Sequence, residues 1–432
     1  MTTDPTIIPV SNSAYKVPHS DEIPAIVIEN GSSFTRVGYA GEGLPRHVFI
    51  TRYGKDAEGK FYFGDRAVHR FDSGKEIYAP MADGIVQDWD AMARNWRYCY
   101  HELLGVEEDA TNELPLATTE PTWNPASNKS KAAEIAFEDL GVPLFTIVKN
   151  PLCTAYNSEL PTALIVDIGS SVATVTPILD GNIISNGCLH SRFAGDFVTL
   201  HIVNMLKSKN INIVPPYRIK KRVQLDLNQA PDESCYRSDI VDKDVTESYN
   251  YFEVDRLLDE FKETTSFVSD TPLQIGTYQS KVARPFELPD GFNTLLTAER
   301  LSTVEPLFRP SAYPLQGISI PEGSLGISEL IQQSLAKSEI TLETVSVLLN
   351  NVIVAGGTTL LQGLATRISN DLAVVYPNMK MRVLQQNNQL AQKSTVWTGA
   401  SILASLGHYD TTWVTKQEYD ELGADLVEKR FK

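Results

Sequence analysis

Two acids in matching settings are the first residues with chemistry to offer. Glu29 stands in IENGSS (residues 28–33) and Asp167 in VDIGSS (residues 166–171). Each acid closes an apolar run and is followed, after a one-residue spacer, by Gly-Ser-Ser; the copies lie roughly 140 residues apart, about one domain length. A tight Gly-Ser turn after a buried strand presents backbone N–H groups and a hydroxyl, an arrangement that binds phosphate oxygens. An acid at the strand end can hold a divalent ion through its waters. A third stretch, AGGTT (residues 355–359), has glycines that let the backbone approach a flat or phosphorylated ligand, and a helix after it whose positive end points the same way. Together the three predict a nucleotide held between two domains. Glycines that merely make turns are the plainer reading, and the repeat weighs against it.

The elements that must position these residues can be read around them. Ala25 to Ile28 is a continuous apolar run, as for a strand buried on both faces, and residues 34–39 alternate as its hairpin partner. Ala163 to Val166 and residues 172–178 repeat the unit, and LDGN (residues 179–182) supplies a further hairpin turn. Between the copies, Ala132, Ile135, Ala136 and Leu140 fall on a helical period ended by Gly141, and PLFTIV then reads as another buried strand. Further on, VDRLLDEFKETTSFV is amphipathic, with Leu257, Phe261 and Thr264 expected near one face. Leu361, Leu364, Ile368 and Leu372 place a helix after the glycine-rich turn, and VWTGASILASL predicts another. Residues 220–247, charged and poor in apolar side chains, read as an insertion or mobile loop, and residues 311–326 as a second loop; a partner could equally order both. The fold class is α/β, with two similar halves facing a cleft.

Composition narrows the partners. With 432 residues, 42% hydrophobic and 21% charged, the chain suits two or three domains with sizeable cores. A net charge of −16 argues against direct contact with nucleic acid, which needs a basic face, so DNA or a nucleosome is expected only indirectly, through a basic partner. Cys99, Cys153, Cys188 and Cys235 lack CxxC spacing or His-rich neighbours and read as reduced intracellular thiols, with no metal site. No apolar run approaches the roughly 18 residues that span a bilayer, so no membrane is expected. Residues 1–24, polar and proline-punctuated, read as a flexible arm rather than a secretory signal. RIKKR (residues 218–222) matches a nuclear import patch, although a stretch this short more often marks a solvated surface.

Four stretches then carry a resemblance: GYAGEGLPRHVF (38–49), DGIVQDWDAM (83–92), AGGTTLLQG (355–363) and STVWTGASILASLGHYDTTWVTKQEYDELG (394–423). The sequence resembles actin and the actin-related proteins from about Ala25 to Lys432. IVPPY (213–217) and AGDF (194–197) look like the nuclear fourth class; NWRYCY (95–100) and DIGSSVATVTPILDGNII look like the fungal seventh class. Both classes serve chromatin-remodelling complexes in the nucleus. The resemblance implies an actin-like (ribonuclease H-like, duplicated) two-domain ATPase fold with a central nucleotide cleft. A small domain would comprise residues 25–156 plus 395–432 and a large one 157–394, the latter with a charged insertion near 218–247.

By that resemblance ATP, with magnesium or calcium, has a set of matching positions. Gly31, Ser32 and Ser33 form the first phosphate loop, with Arg36 at the place of a phosphate-directed lysine. Asp167, Gly169 and Ser170 form the second, and Gly195 falls beside the ribose. Lys262 and Glu263 match the nucleoside side, Gly356, Gly357, Thr358, Leu360 and Leu361 the adenine-facing turn, and Lys393 a lysine flanking the base. The hydrolytic parts depart from the pattern. The glutamine that positions attacking water falls on Lys149, the second loop's additional acid on Ser170, its histidine on Thr174, the first loop's aspartate on Glu29 and its second glycine on Ser33. Phosphoryl transfer depends on positioning, so these changes predict no catalytic residues and no rapid hydrolysis.

Other departures bear on assembly. Residues 54–65 are shorter than actin's subunit-inserting loop by roughly nine residues, close to a minimal hairpin connection, and residues 311–326 are longer at another filament contact; no filament is expected. Family members bind amphipathic helices in a cleft whose matching positions are Ala155, Ser158, Leu160, Ile402, Leu403, Leu406, His408 and Thr412. The expected partner is a basic helix preceding the motor of a remodeller ATPase of the SWI/SNF or RSC type, beside a second actin-related protein or actin and other chromatin-complex subunits. The plainer reading is that Ile402, Leu403 and Leu406 are simply core, and for Leu403 it stands at least equal. The alternatives are an INO80- or SWR-type remodeller, an acetyltransferase complex, a slow actin-like or chaperone-like ATPase, and, remotely, a sugar-kinase relative.

Overall fold

The computed structural model describes residues 8–10, 25–274, 283–315, 317–406 and 412–431. Its two main sheets repeat one plan. In the first, the strands run Val414–Thr415, Leu144–Lys149, Leu116–Glu120, Ile26–Asn30, Phe34–Tyr39 and His47–Ile50. In the second they run Ile8–Val10, Val383–Gln386, Val352–Ala355, Ala163–Ile168, Ala173–Leu179 and Asn182–Ile183, with Leu189–Ser191 also paired to Ala173–Leu179. In each, the strand that carries the acid pairs in parallel on one side and with its hairpin return on the other. Ile26, Val27, Ile28, Ala163, Leu164, Ile165 and Val166 are all buried, as a strand covered on both faces requires.

Helices cover these sheets and form two cores. The larger gathers Leu258, Phe261, Ile331, Leu348, Leu364, Ile368 and Leu372 over the second sheet, and the smaller Met92, Trp96, Ala133, Phe137 and Phe145 over the first. Gly141 ends the predicted helix in the left-handed conformation. Among the described residues no helix is long and apolar enough to cross a membrane.

Three expectations change. The helix Glu247–Thr265 buries Leu257, Leu258, Phe261 and Thr265, while Thr264 is exposed; its inward face lies one residue further on. Within the arm, Ile8–Val10 forms an edge strand parallel to Val383–Gln386, so this part of the arm is tied to the second sheet. The charged segment 218–247 is anchored by its own chain. Ile219 bridges Tyr236, the Tyr236 hydroxyl donates to Asp290, and Gly291 lies so close to Val223 that a Cβ would come within 1.9 Å of its carbonyl oxygen. RIKKR is half neutralised there, with Arg218 on Asp242 and Arg222 on Glu287.

Candidate functional site

The two Gly-Ser-Ser turns close alike. Gly31 N–H donates to the Phe34 carbonyl at 3.0 Å and Gly169 N–H to the Val172 carbonyl at 3.0 Å. This leaves the N–H groups of Ser32, Ser33, Ser170 and Ser171 without an intramolecular acceptor among the described residues. The turns meet across the cleft, the Ser171 hydroxyl donating to Ser32 Oγ at 2.6 Å. The third turn is pressed against them. Gly356 has φ +87°, and a Cβ there would lie 2.4 Å from the Ile168 carbonyl oxygen and 2.5 Å from Asp167 Oδ1. Only glycine fits such an approach in that conformation.

A cavity of about 300 Å³ lies between the turns, at the lower end of the range of small-molecule sites. Gly31, Ser32, Ser33, Arg36, Asp167, Gly169, Ser170, Lys262, Glu263, Gly356, Gly357, Thr358, Leu360, Leu361 and Lys393 all line it. Gly195 stands behind the wall instead, its N–H on the Gly169 carbonyl at 3.1 Å and its Cα facing Thr358 Oγ1. Lys262 is buried and its ammonium turns inward, to Thr199 Oγ1 at 2.9 Å, Asp259 Oδ1 at 2.6 Å and the Gly195 carbonyl at 3.3 Å. Glu263 pairs with Lys393 at 3.0 Å.

The phosphate end of the cavity is electrostatically loaded. Glu29 and Arg36 are directly opposite in the first hairpin and form a buried ion pair at 2.9 Å. Among the described residues Arg36 Nε remains buried without a hydrogen-bond partner. Burial pushes the Glu29 carboxyl up despite Arg36. Asp167 is pushed up to about 6, by burial first and then by facing Glu29, with Arg36 opposing. It has no ion-pair partner among the described residues, so two carboxylates share one guanidinium. A cation beside Asp167 would relieve that charge, and the free amides suit phosphate oxygens: the residues fit a nucleotide accompanied by a divalent ion.

The sign of the Asp167 shift makes a prediction. The folded state holds this proton more tightly than the unfolded chain, so stability falls as pH rises from the unfolded value of 3.8 towards about 6. Asp167→Asn is expected to stabilise the nucleotide-free protein at pH 7 by at most about 3 kcal/mol, less whatever cavity water screens. Urea denaturation should show that gain vanishing near pH 4; a gain independent of pH would mean that Asp167 is not held above its ordinary range.

One assigned position moves. Lys149, taken for the water-positioning residue, pairs across from Glu120 and does not line the cavity; the next residue, Asn150, does, with its Oδ1 buried and unpartnered. Lys149 ends its strand and Asn150 opens the helix that follows, so the residue at the cavity is the first of the helix and not the last of the strand. Ser170 and Thr174 line the cavity as expected. Other features escaped the sequence reading. Glu120, buried and paired with Lys129 at 3.3 Å, lines the wall. Trp123 stacks on His190 at 4.4 Å, and Arg192 pairs with Asp83 at 2.5 Å, joining the halves beside the cavity. No local pattern announces these contacts; the Glu29–Arg36 pair, by contrast, follows from the hairpin register once the turn is placed.

The expected helix-binding positions fall around the helices Asn150–Asn157 and Thr395–Ala404. These touch closely at Gly399, where a Cβ would lie 1.8 Å from the Cys153 carbonyl oxygen. Leu160, Ile402, Leu406 and Thr412 are half-buried, while Ala155 and Ser158 are buried at 4% and 7% exposure. Ser158 Oγ has no hydrogen-bond partner among the described residues. Leu403 is fully buried against Trp397 and Cys153 and belongs to the core, not to a surface. His408 lies outside the described residues.

A sequence model described as Actin matches residues 20–432. Actin-related protein 4 of Yarrowia lipolytica is 38% identical over 430 residues, covering 95% of this chain and 97% of that protein. The SWI/SNF and RSC complexes subunit arp42 of Schizosaccharomyces pombe is 37% identical over 429 residues, covering 95% and 100%. Actin-related protein 4 of Arabidopsis thaliana is 30% identical over 449 residues, covering 95% and 99%.

Proposed function

Since the chain belongs to the actin family, we propose that it is a non-catalytic nuclear subunit of a chromatin-remodelling complex of the SWI/SNF or RSC type. Its role is to scaffold and regulate the remodeller ATPase by binding the helix before the motor, beside a second actin-fold subunit. The names of the fourth-class relatives and of the SWI/SNF and RSC subunit support this reading over a seventh-class one. INO80- and SWR-type remodellers and acetyltransferase complexes are the second choice, because a fourth-class likeness alone does not specify the complex.

The observation that carries the non-catalytic part is the phosphate end of the cavity, where Arg36 is committed to Glu29. The free amides of the two turns would hold phosphate oxygens, Asp167 a magnesium or calcium ion, and residues 356–361 the base. Among the described residues there is no group of three His, Cys, Asp or Glu, so such an ion would take its other ligands from phosphate and water. When bound, that ion supplies charge neutralisation. The chain's own groups enclose the ligand and exclude water; they do not aim it. Asn150 is about one methylene shorter than glutamine and ends short of the same place, while Ser170 and Thr174 offer neither acid nor imidazole. Nucleotide therefore serves as architecture.

Single-turnover phosphate release at stoichiometric protein tests this. The rate is expected within about tenfold of the uncatalysed background. Release about a thousandfold above it would make the chain a working ATPase and end the non-catalytic reading.

A further inference from the structure

The two Gly-Ser-Ser turns are fixed from behind through their carbonyls. In the first, the buried Thr51 donates its hydroxyl to the Gly31 carbonyl at 2.7 Å and its N–H to the Ser33 carbonyl at 2.9 Å. Thr35, buried as well, lies 3.0 Å from the Thr51 hydroxyl and holds it in place. In the second, the Gly169 carbonyl accepts from the Thr358 hydroxyl at 2.7 Å and from Gly195 N–H at 3.1 Å. The Ser170 carbonyl accepts from Asp196 N–H at 2.7 Å. Drawing either turn back would break two or more of these bonds and leave buried polar groups unpaired.

Between turns fixed in this way, the Ser32 and Ser171 hydroxyls close the remaining gap. The base-facing turn presses on the strand end at Ile168, so a phosphate chain leaving the base meets the second turn first and the hydroxyl bridge last. A hydroxyl has one proton, and that of Ser171 is spent on Ser32. Ser32 keeps its own proton for a ligand, beside the free amides of the turns. A phosphate oxygen lodged between the two hydroxyls would hold them about 5 Å apart, twice a hydrogen-bond length. They lie 2.6 Å apart. Charge weighs the same way. Among the described residues the lining holds three cations, Arg36, Lys262 and Lys393, each already paired, with Glu29, Asp259 and Glu263 in turn, while Asp167 has no such partner. Each further phosphate therefore brings negative charge that no unpaired side chain meets, and one divalent ion offsets only part of it.

We propose that the cavity selects a nucleoside diphosphate over the triphosphate, and that the Ser32–Ser171 bridge sets this preference. The proposal rests on the reading that the cavity takes nucleotide, and it names which one. A diphosphate leaves the bridge whole and uses the Ser32 proton and the free amides. A triphosphate must part the bridge and bring its last phosphate up to Asp167 without a free cation to meet it. A bound diphosphate also has no terminal phosphate to give up as a triphosphate does, which agrees with nucleotide as architecture.

Calorimetric titration of the nucleotide-stripped full-length protein, with magnesium in excess, tests it. Three ligands are compared: ADP, ATP and the non-hydrolysable adenylyl imidodiphosphate, so that slow hydrolysis does not pass for a preference. ADP is expected to bind at least about tenfold more tightly than either triphosphate. Ser171→Ala removes the bridging proton and should narrow that ratio to about threefold or less, by a gain in triphosphate affinity. Ser32→Ala removes a donor to the ligand and should weaken ADP binding as well. Triphosphates bound as tightly as ADP by the unaltered protein overturn the preference. An unchanged ratio in Ser171→Ala overturns the part given to the bridge. A protein that binds none of the three overturns the nucleotide reading itself, and the preference with it.

Discussion

Arg36→Met is expected to lose about 3–5 kcal/mol of stability at pH 7 and to recover much of it near pH 5. Among the described residues Arg36 is the one cation shared by Glu29 and Asp167, and its guanidinium and the Glu29 carboxylate are both about nine-tenths buried. A neutral chain of similar length leaves two desolvated carboxylates facing each other. Both are already held above their ordinary range with Arg36 present. Without it they rise further, so the folded state binds protons that the unfolded chain has released. The penalty is absent below the unfolded values near pH 4 and complete once the pH exceeds the folded ones. Urea titrations at the two pH values check this. An Arg36→Met protein as stable as the parent at pH 7 would show that Arg36 does not neutralise Glu29 and Asp167 in the cleft.

The second large effect separates two leucines three residues apart. Leu403→Glu is expected to prevent folding, since even truncation of so buried a leucine costs about 2–5 kcal/mol and a carboxylate adds its desolvation. Leu406 lies just past the end of the helix Thr395–Ala404 and is half-buried against the same core. Leu406→Glu should leave the thermal transition within a few degrees of the parent. It should still weaken binding of the remodeller's helix by about a hundredfold, because a charge would stand in an apolar trough. If Leu406→Glu unfolds as Leu403→Glu does, Leu406 is core and the trough must be sought elsewhere.

How much of this was legible in the sequence depended on range. The apolar runs ending at Glu29 and Asp167, the Gly-Ser-Ser turns and the glycine-rich third turn are local patterns, and the structure converges all three on one cavity. Burial on both faces of a strand erases alternation, so the runs could be found but their facing could not. Asn150 escaped for another reason: it opens the helix Asn150–Asn157 directly after the strand that ends at Lys149, and no periodicity carries across that junction to show which of the two faces the cavity. The helix Glu247–Thr265 shows the same limit, its inner face resting on Thr265 rather than Thr264. Segment 218–247 reads as mobile because it is charged and poor in apolar side chains; it is held by a hydroxyl on Asp290 and by backbone packed on Gly291, contacts no composition records. The contacts of His69 with Glu253 and with the Tyr249 hydroxyl on the helix Glu247–Thr265 join residues about 180 apart and depend wholly on the tertiary fold.

The central claim is that this chain is a structural partner of a remodelling motor. The measurement that meets it most directly is native affinity purification of the tagged full-length chain from nuclei, with the stoichiometry of co-purifying chains determined. The account predicts a remodeller ATPase and a second actin-fold chain in equal amounts with the tagged protein, and loss of the ATPase in the Leu406→Glu protein. Recovery of the chain alone, or with filamentous actin and no remodeller, would contradict it.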